Sequence, residues 1–268
     1  MNILVVYAHP EPRSLNGSLK NHLCAQLASL GHSVQVSDLY AMQWKSALDG
    51  SDFPARDPDA RLEPAGASKD AFANGTQTPD VAAEQQKLFW ADALILQFPL
   101  WWFSLPAILK GWVERVYAYG LAYGVGEHSD VRWGDRYGEG RFQGKRAMLV
   151  VTAGGWEEHY GERGINGAID DLLFPINHGI LYYPGFDVLP PFVVYRVGQT
   201  EPERYREITT ALDRRLQGLF TDPPFPFRRQ NGGDYEIPSM QLKPGLEAPG
   251  QQGLRLHQRP DKSRAAKG

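Results

Sequence analysis

The sequence predicts an α/β fold: a doubly wound, five-stranded parallel sheet in the order 2-1-3-4-5, with an extended C-terminal tail. Three observations predict it. The chain opens on a β-branched run that stops at a proline, "NILVVYAHP" (2–10). Short apolar runs then alternate with helical patterns as far as residue 220. From Thr221 the periodicity ends and proline and glycine take over.

The opening run has the composition of a strand buried on both faces. Behind it, Leu15, Leu19, Leu23, Leu27 and Leu30 recur at helical spacing, with Ser14 placed to cap the helix and Gly31 to end it. "HSVQVSDLY" (32–40) is the second strand, and strand–helix–strand in ~40 residues implies parallel pairing. Residues 41–78 are rich in Asp, Pro, Ala and Gly with weak periodicity, an excursion that long usually being functional or interfacial. A helix over 79–92, with Pro79 in its first turn, precedes strand three, "ALILQFP" (93–99). A helix over 106–120, strand four over 145–155, helical material near 165–180 and a fifth strand within 186–197 follow. The helix over 202–220 sets Ile208, Leu212, Leu216, Leu219 and Phe220 on one face. The expected division is a domain over 1–220 and a Pro/Gly-rich extension over 221–268 draped over the domain or a partner, its last ten residues disordered.

Composition removes several function classes. A net charge of −3 supplies no field for a polyanion, so nucleic acid is not an expected partner. The single cysteine, Cys24, excludes a disulfide framework and a multi-thiolate zinc site, and no metal is expected. No basic leader precedes the first strand, and Gln97, Pro99 and Pro106 interrupt the longest apolar stretch. The expected location is the cytoplasm. The chain has no G-x-x-x-x-G-K-[ST], no G-x-G-x-x-G between strand and helix, and no G-x-S-x-G.

Ligands of an open parallel sheet bind at the carboxyl ends of its strands, which directs attention to the loops 8–18, 99–106 and 152–166. The first, "AHPEPRSLNGSL", runs into a helix N-terminus, where free amides, Ser14, Asn16, Ser18 and His9 suit an anion such as phosphate. The second carries Trp101, Trp102 and Phe103. Two adjacent Trp residues cannot both point inward, so at least one faces the crevice or a partner, as a flat wall for a planar ring. The third, "TAGGWEEHYGERGINGA", offers Gly154 and Gly155 for close backbone approach, with Tyr160 and Asn166 nearby. Together the loops describe a site for a flat, phosphate-bearing anion: a flavin.

At these loops the chain resembles the NAD(P)H:quinone oxidoreductases of flavodoxin-like fold, in their long, FAD-using branch. The resemblance rests on "AHPEPRSLNGSL", "DLYAM", "PDVAAEQQKL", "FPLWWFSLPAILKGWVERV", "AGGWEEHYG" and "GILYYPGF" across residues 2–220. It implies a homodimer holding FAD, with FMN the less expected flavin, at two interfacial sites. His9, Ser14, Leu15, Asn16 and Ser18 match positions that hold phosphates and ribityl chain; Pro99, Leu100, Trp102 and Phe103 match those lining the isoalloxazine. Thr152, Ala153, Gly154, Gly155 and Tyr160 match its pyrimidine end, and Arg206 a basic residue near the adenine. Tyr123, Val125 and Tyr183 fall where the dimer mate supplies the substrate pocket. The implied chemistry is ping-pong hydride transfer from NADH or NADPH to a quinone. Tyr160, Gly154 and Gly155 are the expected catalytic group, with Asn166 standing where the family carries a histidine; asparagine donates a hydrogen bond but cannot become a cation. The alternative is an ancillary subunit of a membrane potassium-efflux system, with a peripheral membrane-protein partner. A one-electron carrier fits less well, because such carriers are strongly acidic and compact.

Overall fold

The computed structural model describes residues 1–198 and 200–260. Strands β1 (Asn2–Tyr7), β2 (Ser33–Asp38), β3 (Ala93–Pro99) and β4 (Arg146–Ala153) pair in parallel in the order β2-β1-β3-β4. The fifth position departs from expectation. It is filled by two pieces, β5 (Asp187–Val188) and β6 (Phe192–Tyr195), both paired with β4. Pro190 and Pro191 stand between them, and without amide protons they cannot continue the ladder.

Side chains alternate across the sheet and build two cores. Leu4, Val6, Leu94, Leu96, Phe98, Leu149 and Val151 pack on one face beneath α3 (Pro79–Trp90), α4 (Ala107–Val116) and α5 (Ile169–Ile176). Ile3, Val5, Ile95, Met148 and Val150 pack on the other beneath α1 (Leu15–Ser29) and α6 (Pro202–Gln217). α1 begins where its cap predicts: the Gly17 amide donates to Ser14 Oγ at 3.1 Å. α5 continues directly into a wider π-helical turn, Asn177–Tyr182.

The 41–78 excursion is not structureless, as its weak periodicity suggests. It contains α2 (Pro64–Asn74), framed by Pro64 in its first turn and Gly75 in a left-handed conformation after it. Its pattern is faint because Ala71 is its one buried residue. A buried cation anchors the whole segment to α4. Arg115 Nε donates to Asp52 Oδ1 at 2.7 Å, its terminal nitrogens donate to Asp80 and to the Lys45 carbonyl, and its guanidinium lies 4.5 Å from the centre of the Trp44 ring.

Residues 221–260 drape over the domain's own surface. They include a two-stranded antiparallel ladder, β7 (Tyr235–Glu236) with β8 (Gln241–Leu242). The segment is held by buried polar side chains. Arg228 donates to the carbonyls of Leu246 and Leu256 and to Asp234, and Gln230 Nε2 donates to the Trp133 and Gly134 carbonyls. The disorder expected for the last ten residues falls, from residue 261 on, outside the described residues.

Candidate functional site

The carboxyl ends of β1, β3 and β4 bring the three expected loops together through two hydrogen bonds. Asn16 Nδ2 donates to Thr152 Oγ1 at 2.7 Å, tying the first loop to the third. Gln97 Nε2 donates to the Asn16 carbonyl at 2.7 Å, tying β3 to the first. Both side chains are buried, yet Asn16 Oδ1 and Gln97 Oε1 have no partner. Buried unpaired oxygens cost ~1–3 kcal/mol each, a cost that a donor arriving with a ligand removes. Gln97, which the sequence offers only as a break in an apolar run, is thus the pin that sets Asn16. A lone amide inside a strand buried on both faces is the signal that finds it.

At the first loop the Glu11 amide donates to His9 Nδ1 at 3.1 Å, so the neutral ring carries its proton on Nε2, free to donate outward. Ser14 Oγ donates to the Glu11 carbonyl and lies 3.0 Å from His9 Nδ1, holding the ring in place. Leu15 and Ser18 lie in the first turn of α1; the Gly17 and Ser18 amides are spent on Ser14, and those of Leu15 and Asn16 donate to no described group, the arrangement that suits an anion. The Tyr205 hydroxyl donates to the Ser18 carbonyl at 3.3 Å, which brings the start of α6 beside the same turn. Arg206 follows Tyr205 but is exposed, lining a shallow surface hollow with Glu203, Glu207, Thr210 and Arg214. Among the described residues, no hydrogen bond joins its side chain to the loops.

The second loop is a tight turn. Leu100 donates to the Thr152 carbonyl and Ser104 to the Trp101 carbonyl, while Pro99 closes β3. Trp102 and Phe103 hold φ of 50° and 62°, a conformation that costs non-glycine residues ~1 kcal/mol or more each. That strain thrusts Trp102 out until it is 95% exposed, with Phe103 beside it. Trp101 turns toward the first loop, its ring 5.9 Å from that of His9.

In the third loop, Thr152 and Ala153 are buried at the end of β4, and Gly154 and Gly155 follow. Neither glycine amide donates to a described group. A Cβ on Gly154 would meet nothing within 4 Å, whereas one on Gly155 would press against the Tyr160 ring at 3.0 Å. Gly155 therefore lets Tyr160 lie against the backbone, and Gly154 opens onto free space. Among the described residues the Tyr160 hydroxyl makes no hydrogen bond, and its ring lies 5.5 Å from that of Tyr195, whose own hydroxyl burial pushes up to about 12. Asn166 returns to the same turn, its amide donating to the His159 carbonyl at 3.0 Å with its side chain free. Arg196, which sequence inspection passes over, donates its amide to the Gly155 carbonyl and stacks its guanidinium 4.0 Å from the centre of the Trp156 ring.

Tyr123 and Tyr183 meet elsewhere. They line one hollow of about 420 Å³ with Tyr117 and Ser68, and no residue of the three loops lines it. Burial holds the Tyr123 hydroxyl above its ordinary value. Val125 lies outside this hollow, its carbonyl accepting from the Asp135 amide.

Comparison with known proteins agrees with this geometry. A family model described as "Flavodoxin-like fold" matches residues 1–217. A ribosyldihydronicotinamide dehydrogenase-like protein from Penicillium crustosum is 54% identical over 259 residues, 97% of this chain and 96% of that one. The human ribosyldihydronicotinamide dehydrogenase [quinone] is 38% identical over 225 residues, covering 84% of this chain and 94% of its own. NAD(P)H dehydrogenase [quinone] 1 of Cavia porcellus is 38% identical over 226 residues, covering 84% and 79%. A solved structure from Klebsiella pneumoniae, described provisionally as a quinone reductase, superposes with a TM-score of 0.93 at 62% identity, over 96% of this chain and 99% of that one.

Proposed function

The chain belongs to the flavodoxin-like-fold family and, within it, to the NAD(P)H:quinone oxidoreductases, and from that premise we propose that it binds FAD as a homodimer and reduces quinones by a ping-pong, two-electron route. The observation that carries this proposal is the convergence at one place of an anion-ready helix start, an exposed aromatic turn and a glycine backbone with free amides. The residues present fit a flavin. The orphaned Asn16 Oδ1 and the empty space over Gly154 are features that the protein alone does not require.

His9 Nε2, the Ser18 region and the first amides of α1 would take the phosphates, with Leu15 and Asn16 along the linking chain. Pro99, Leu100, Trp102 and Phe103 would line the ring system, and Thr152, Ala153, Gly154, Gly155 and Tyr160 its polar edge. Arg206, beside the Tyr205–Ser18 contact, would face the adenine end. A bound flavin supplies the site's ability to take hydride from a reduced nicotinamide and pass it to a quinone. The protein's part is orientation and electrostatics. The Gly154 and Gly155 amides and the Tyr160 hydroxyl donate to no described group, and would stabilise the negative charge that develops on the ring system. Asn166 can add a donor but not a positive charge.

Tyr123 and Tyr183 line a hollow that the three loops do not reach, so they would serve the substrate as contributions from a second copy. Val125, outside that hollow, would sit at its margin. The donor would be NADH, NADPH or, as the names of two relatives indicate for those proteins, a ribosyldihydronicotinamide. The relatives are dehydrogenases by name, which favours catalysis over service as a transporter's ancillary subunit. A cytoplasmic location would suit a freely diffusing donor. The test is anaerobic rapid mixing with NADPH, following the bleaching of flavin absorbance. Tyr160→Phe should slow bleaching about tenfold, ~1.4 kcal/mol, with flavin content unchanged. An unchanged rate would remove Tyr160 from its assigned role.

A further inference from the structure

A second cavity, of about 380 Å³, lies between the domain and residues 228–257 of the tail, and none of its walls comes from the three loops. One wall is a stack of three rings. His178 lies between Phe174 and Tyr137, each 4.6 Å from its centre and nearly parallel to it. The tail supplies a second stack, Tyr235 on His257, with the Tyr235 hydroxyl 2.9 Å from His257 Nδ1. Such a lining selects a flat ring.

Its polar groups select the charge. The cavity has no carboxylate in its walls. Of its two arginines, Arg228 is saturated by Asp234 and two carbonyls. Arg136 donates from Nε to Gln230 Oε1 at 2.9 Å, and no described carboxylate pairs with it, so both terminal nitrogens remain for a ligand. His178 Nε2 is buried with no hydrogen-bond partner, although an aromatic residue would fill the same stack without leaving a buried nitrogen unsatisfied. Burial, reinforced by nearby His257, drives the His178 imidazole down to about 3, so the ring is neutral and adds no charge to the wall.

We propose that this cavity is a second small-molecule site, for a planar aromatic monocarboxylate of one or two rings, whose carboxylate pairs with Arg136 and whose ring lies among the two aromatic stacks. The site is distinct from the flavin crevice and from the Tyr123–Tyr183 hollow. It lies behind the latter, because Tyr137 packs edge-on against Tyr183 at 4.9 Å.

The test titrates 4-hydroxybenzoate into the full-length, flavin-loaded protein by calorimetry, with the uncharged 4-hydroxybenzamide as its comparison. The acid should bind at least about tenfold more tightly than the amide. Arg136→Met should erase that difference. Arg136→Gln keeps a polar side chain and removes the charge, and should weaken the acid about tenfold while leaving flavin content unchanged. Should Arg136→Met fail to fold, Arg136→Gln carries the test alone. Equal affinity for acid and amide, acid binding indifferent to both variants, or no binding at about 10 mM acid would each overturn the proposal.

Discussion

Gly154 has no positive φ and opens onto empty space, so the folded chain alone would accept a side chain there. A bound ring system would not. Gly154→Val should therefore leave the thermal unfolding midpoint unchanged and lower flavin affinity at least about tenfold, as read by flavin retained through gel filtration. Full retention would show that nothing binds over that backbone. Asn166→His asks the converse question. A histidine with a free side chain in the Tyr160 turn would titrate near ~6.5 and should give the hydride-accepting step a pH dependence the parent lacks. A flat profile in the variant would place position 166 outside the site. At this scale much was legible, because Ser14, Gly154 and Tyr160 belong to residue types whose chemistry is local. Gln97 and Arg196 were not: the first matters through a contact 81 residues away, the second through the strand that docks it beside Gly155.

At the scale of elements, α1 and β3 were readable because one face or both faces are buried and the pattern says so. α2 hid because it buries almost nothing, and its proline and glycine ends were the only traces it left. The split fifth strand was written in Pro190–Pro191, a pair that no central ladder can absorb. The 45–80 segment is held from outside itself, by an arginine on α4 whose side chain is 2% exposed and bonded to Asp52, itself buried. Arg115→Met should cost about 3–5 kcal/mol, because it leaves the Asp52 carboxylate buried with the Lys45 ammonium and the Asp49 amide as its described partners. Limited proteolysis should then cut first between residues 45 and 78. Cleavage no faster than in the parent would show that the segment is anchored by its other contacts.

For the whole molecule, the tail completes the structure: Gln230 and the Phe227 carbonyl bond to the domain, while Arg228 and His257 bond within the tail and hold its own course. His178 beneath it makes stability depend on pH. Its folded value, about 3, lies below the ~6.5 of an unfolded histidine, so between these limits the unfolded chain binds the extra proton. Stability is thus full above ~6.5 and is lost as the pH falls toward 3, by up to ~1.4 kcal/mol per unit. Urea denaturation at pH 7 and pH 5 should show this slope in the parent and a shallower one in His178→Phe; equal slopes would contradict it. No helix among the described residues is long and apolar enough to cross a membrane. The tail's course was opaque in the sequence, since its order comes from long-range polar contacts with no period. The measurement closest to the central claim is the visible spectrum of the purified protein, with its heat-released flavin identified by chromatography. The account predicts FAD at about one per chain; a colourless protein that does not take up added flavin would contradict it.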